Sequence, residues 1–147
     1  MLKAAARGDI FYVHDTHGGA GLMDVYNHRQ HRELFANNAK RSRYFVVSDG
    51  KAGVRHDTRG QVEIAYRYFE GTAAGAVMIG DAPDCDAYRE LFGWPEAVIE
   101  IQPDGSDTMA VLSELGSNPE RMAAISKQNA TGALLRYPTV QYGQFSR

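Results

Sequence analysis

Apolar residues in this chain come in short unbroken runs, separated by stretches in which they return at helical intervals. Tyr44-Phe45-Val46-Val47 is apolar throughout, as suits a strand covered on both faces. Ala76-Val77-Met78-Ile79 and Ala97-Val98-Ile99-Glu100-Ile101 predict two further strands. Ile10-Phe11-Tyr12-Val13 is β-branched and aromatic and ends in a polar, glycine-rich stretch over residues 14–21, so it reads as a first strand running into a loop. Between the runs, Leu22, Val25, Tyr26, Leu34 and Phe35 predict a partly exposed helix over residues 22–39. Ile64, Ala65, Tyr68, Phe69 and Ala73 form one helical stripe that stops at Gly75, a good C-terminal cap. A short helix over residues 87–92 follows the turn Gly80-Asp81-Ala82-Pro83-Asp84. Two helices close the chain, one over residues 107–115 ending at Gly116, the other opening with Asn118 as cap and Pro119 in its first position.

Strands alternating with helices predict an α/β fold, a parallel sheet of about four strands flanked by helices and joined by right-handed crossovers. Residues 1–137 read as one domain. Residues 138–147 show no periodicity and read as a tail or an extended arm.

Composition narrows the partners. The formal net charge of −2 gives no overall pull toward nucleic acid or an anionic membrane, although a local basic cluster can still bind phosphate. The longest apolar run, residues 73–79, is far shorter than the roughly 20 residues of a membrane helix, so no membrane span is expected. Gly8 and Asp9 interrupt the charged N-terminus before any signal-peptide core. Cys85 is the only cysteine, which excludes an internal disulfide and fits a reducing compartment. A cytoplasmic location is the expectation.

In an open parallel sheet, ligands bind beyond the carboxyl ends of the strands. The candidate loop covers residues 48–60, where Lys51, Arg55 and Arg59 stand among Gly50, Gly53 and Gly60 ahead of a helix whose N-terminus favours anions. A solvated surface loop has the same composition. Glu63, Arg67 and Glu70 are spaced to line one helix face, as binding residues or as a surface charge pairing. His14 with His17, and His28 with His31, have the spacing of metal-ligand pairs, while a polar helix surface explains them equally. Gly18-Gly19-Ala20-Gly21 lacks the lysine and spacing of a Walker loop. Trp94 reads as a partly buried packing residue.

The segment Arg67-Tyr68-Phe69-Glu70-Gly71-Thr72-Ala73-Ala74-Gly75-Ala76-Val77-Met78-Ile79-Gly80-Asp81 resembles the Glu-Ala-x-Ala-x-Gly-x-Pro-Val-Ile segment of GT-B glycosyltransferases, particularly the bacterial group-one-like enzymes that build surface polysaccharides. The likeness covers residues 41–137: Arg41-Ser42-Arg43-Tyr44-Phe45-Val46-Val47 is similar to the preceding strand and Asn118-Pro119-Glu120-Arg121 to the cap of the final helix. Glu63 stands one residue closer to Glu70 than the family's glutamate pair does, and Ala76-Val77 replaces the usual proline. The resemblance implies a Rossmann-like fold, part of the C-terminal domain that binds the donor. It implies that Glu70 holds the ribose hydroxyls of a nucleotide-diphosphate sugar, with Glu63, Arg67 and Gly71 around it, and that Lys51 and Arg55 stabilise the diphosphate leaving group. The activity implied is transfer of the sugar to a hydroxyl acceptor, with no cofactor of the protein's own and no metal. The length matches only part of a two-domain enzyme, so a truncated product, or a subunit completed by a partner or a second copy, is expected. The alternative is a non-catalytic α/β module for self-association or nucleotide binding.

Overall fold

A computed structural model describes residues 5–8, 10–13, 27–48 and 62–136. The chain divides into two compact units, residues 1–35 and 36–147. In the first, the Gly8 amide donates to the Ala5 carbonyl at 3.0 Å and closes a turn. Residues 10–13 belong to no strand, which corrects the first expected strand. Phe11 is 95% and Val13 59% exposed, so one face of the run is left in solvent, and among the described residues it joins no ladder that would hold it as a strand. Helix α1, His28–Arg41, begins with Asn27 as cap, whose Oδ1 accepts the Gln30 amide at 3.0 Å. Residues 22–26, expected to open this helix, lie outside the described residues.

The second unit continues from the last turn of α1 with β1 (Tyr44–Val47), α2 (Tyr66–Ala73), β2 (Val77–Gly80), α3 (Asp86–Phe92), β3 (Val98–Glu100), α4 (Thr108–Gly116) and α5 (Pro119–Arg136). The strands form a parallel sheet in the order β1-β2-β3, with Tyr44 opposite Val77 and Met78 opposite Val98. This is an α/β architecture with three strands among the described residues, rather than about four. Central β2 is buried along its whole length. In β1 only Phe45 and Val47 are buried, while Tyr44 and Val46 are half-buried, so its expected cover on both faces is incomplete.

Helices α2 and α3 meet through aromatic rings. Tyr68 packs edge-on to Tyr88 at 5.6 Å between centroids, Phe69 meets Phe92 at 5.1 Å, and Tyr88 stacks on Phe92 at 5.2 Å. Such pairs add specific geometry to a large apolar burial. Gly71 brings α2 close to the sheet, since a Cβ there would lie 2.8 Å from Met78 Sδ and 3.1 Å from Phe45 Cδ1. The helix begins only at Tyr66, after an extended Ala65, so its buried residues are Tyr68, Gly71 and Thr72, and Ala73 is exposed. It stops where expected, with Gly75 at a φ of +64° just past the C-cap.

Helix α5 starts as read from the sequence, with Asn118 Oδ1 accepting the Arg121 amide at 3.0 Å. It crosses the amino ends of the strands, where its buried Asn129 donates to the Ala76 carbonyl at 2.9 Å and accepts from the Trp94 indole at 2.8 Å. Helix α4 ends at Gly116, as read from the sequence, and it does so without a positive φ at that glycine. Among the described residues, no helix is long and apolar enough to cross a membrane.

Candidate functional site

Two strand exits at the carboxyl edge of the sheet are described, and both are tightly built. Gly80 ends β2 at a φ of +148°, with its Cα so near β1 that a Cβ would sit 1.8 Å from the Val47 carbonyl oxygen. No side chain fits there. The chain then turns through Asp81, Ala82 and Pro83, with the Ile101 amide donating to the Gly80 carbonyl at 3.1 Å. The Tyr68 hydroxyl, from α2, donates to the Asp81 carbonyl at 2.8 Å and ties the helix to this exit.

Beyond β3, the Gln102 amide donates to Asp107 Oδ1 and the Ser106 amide to Asp104 Oδ1, each at 2.9 Å, which shapes the approach to α4. The Ser106 amide holds the Asp104 carboxyl below its usual range. Thr108, at the start of α4, is buried, and its hydroxyl has no partner among the described residues.

Tyr88 lies in the first turn of α3, next to the β2 exit. Burial, and after it the Glu100 carboxylate at the end of β3, push its phenol up to about 12. The hydroxyl therefore stays protonated and able to donate at neutral pH.

Glu70 stands on α2, half-exposed, and accepts from Arg67 at 3.2 Å across one helical turn. Glu63 is not on that helix, because α2 starts three residues later at Tyr66. The expected face of three charged residues is thus reduced to the pair Arg67 and Glu70. Gly71 turns its bare Cα toward Met78 and Phe45. Lys51 and Arg55 fall outside the described residues, as do His14, His17 and residues 18–21. Among the described residues, no group of three His, Cys, Asp or Glu side chains is placed to hold a metal ion.

No family model, curated protein or solved structure matches the chain. The edge offers the Tyr88 phenol on α3 beside Glu100 and backbone turns shaped by Asp104 and Asp107, while Glu70 stands on the middle of α2. Tyr88 and Glu100 escape the sequence reading, which places them only inside a helix and a strand. The available signal was a tyrosine in the first turn of a helix that leaves the carboxyl end of a strand.

Proposed function

We propose that the second unit is the donor-binding part of a GT-B-type glycosyltransferase, with a Rossmann-like fold and a site for a nucleotide-diphosphate sugar at the carboxyl edge of the sheet. The observation that supports this best is how the segment from Arg67 to Asp81 folds. It makes a helix, a glycine-capped turn and the buried central strand, and it keeps Glu70 half-exposed while Tyr68, Gly71 and Thr72 are buried. A carboxylate so placed accepts two hydroxyl protons, as the vicinal hydroxyls of ribose offer them.

In this reading, Glu70 orients the ribose, and Arg67 holds the Glu70 carboxylate in place. Departure of the nucleoside diphosphate loads negative charge onto its phosphates, and Lys51 and Arg55, which follow β1 in the sequence, are assigned to stabilise it. The sugar passes to a hydroxyl acceptor bound by a partner subunit or a second copy. The test is a calorimetric titration of the full chain with uridine, guanosine and adenosine diphosphates, repeated on Glu70→Ala. Binding of at least one nucleotide, weakened roughly tenfold or more by the substitution, is expected from the loss of hydrogen bonds to a charged group. Absence of binding, or binding indifferent to Glu70, refutes the assignment.

A second reading, a non-catalytic self-associating module, draws on Leu134 and Leu135, 64% and 71% exposed near the end of α5. It requires a concentration-dependent mass in sedimentation that Leu135→Glu abolishes.

A further inference from the structure

We propose that the amino edge of the sheet carries a second site, an oxyanion pocket between Lys40 and Arg43 that takes a phosphate group. It is independent of the Glu70 reading and lies at the opposite end of the strands. The last turn of α1, the turn between α2 and β2, and the first half of α5 enclose a concavity of about 290 Å³ there. Its floor is apolar, with buried Val77 and Met122. Among the described residues that line it, Lys40 and Arg43 supply the only charges, and none is a carboxylate. Neither cation makes an ion pair among the described residues, in contrast to Arg29, Arg67, Arg89 and Arg121, which each meet an acidic side chain.

The walls are fixed before any ligand arrives. The Ser42 hydroxyl donates to the Asn38 carbonyl at 2.7 Å and its amide to the Ala39 carbonyl at 3.1 Å, which closes α1. The Arg43 carbonyl accepts the Val77 amide at 3.2 Å, so its backbone extends the sheet. The Ser126 hydroxyl donates to the Gly75 carbonyl and anchors the opposite wall. With both serine protons committed, the pocket's free donors are the ammonium and the guanidinium.

A helix C-terminus attracts cations, and this accounts for Lys40 and Arg41 in the last turn of α1. It does not account for Arg43, which stands beyond the helix at the entry to β1. Two unpaired cations over an uncharged floor form a site for a compact, multiply charged anion, and a phosphate oxygen fan matches a guanidinium and an ammonium together. The phosphate group can belong to a small soluble molecule or to a lipid head.

The test uses the full chain with inorganic phosphate and pyrophosphate, followed by chemical-shift titration. In parallel, flotation with vesicles of phosphatidylcholine is compared with vesicles that also hold phosphatidic acid. The variants are Lys40→Gln/Arg43→Gln and, as a control of equal charge loss per site on an exposed α5 lysine, Lys127→Gln. The expected result is millimolar phosphate binding that weakens with salt, falls roughly tenfold or more in the double variant, and survives Lys127→Gln and Glu70→Ala. Binding of soluble phosphate without flotation assigns the site to a soluble ligand. Flotation with phosphatidic acid that the double variant abolishes assigns it to a lipid head. Absence of both, or binding that the double variant leaves intact, or loss with Lys127→Gln or Glu70→Ala, overturns the pocket.

Discussion

The two ends of the sheet are held by different means. At the amino end, side chains of α5 reach in and satisfy the backbone: Asn129 bonds the Ala76 carbonyl and Trp94, and Ser126 bonds the Gly75 carbonyl. At the carboxyl end the strands are held by the close approach of Gly80 to Val47, by the Tyr68 hydroxyl on the Asp81 carbonyl, and by a turn in which Asp104 and Asp107 accept backbone amides. A helix distant in sequence thus secures one end, while the other is secured by a glycine contact, α2 and the turn that follows β3. In open α/β sheets the carboxyl end is where ligands bind.

The strongest way to break this contrast is Gly80→Ala. A Cβ pressed against the Val47 carbonyl oxygen forces β1 and β2 apart, at a cost of about 4 kcal/mol or more, most of what a small domain has to spare. Loss of the cooperative transition in circular dichroism is expected. A variant melting within a few degrees of the parent would disprove the close approach.

Asn129→Ala tests the other end. It leaves the Ala76 carbonyl and the Trp94 indole without their partner in a buried setting, and about 3 kcal/mol of destabilisation is expected in urea unfolding. A cost below about 0.5 kcal/mol would mean that the amino end does not depend on this clasp.

The smallest effect concerns pH. The folded protein raises the Tyr88 phenol from 10.0 to about 12, so folding favours the neutral form. The stabilisation is complete below pH 10 and is lost as pH rises from there through about 12. Allowing for solvent at the hydroxyl, the loss is on the order of 1–2 kcal/mol. Unfolding curves at about pH 9 and about pH 11 measure it, and in Tyr88→Phe this component should vanish. An equal decline in both proteins would remove Tyr88 as its source.

Much of the second unit was legible in the sequence because its signals are local. The apolar run of β2, the glycine after α2 and the Asn118-Pro119 start of α5 each act within a few residues, and each is found in place. Where burial depends on a distant partner, the reading failed or was silent. Residues 10–13 have strand composition and no strand. Glu63 has the right spacing and sits outside the helix, because that helix starts at Tyr66. Asn129 looks like an ordinary polar residue of a long helix, and only the fold shows that it is buried between a strand and an indole. The Lys40 and Arg43 pocket is assembled with α5 residues far along the chain, so no window of sequence contains it. The spacing conveyed Glu70 and Arg67 as a pair, but not Tyr88 and Glu100, which the fold brings near one another.

Trp94 donates its indole proton to Asn129, lies under the Arg136 guanidinium at 5.1 Å and packs against Gly132, where a Cβ would be 2.6 Å from the ring. It is also the chain's single tryptophan. Its fluorescence is therefore an intrinsic optical gauge of one event, the seating of the C-terminal half of α5 on the sheet, and needs no added label.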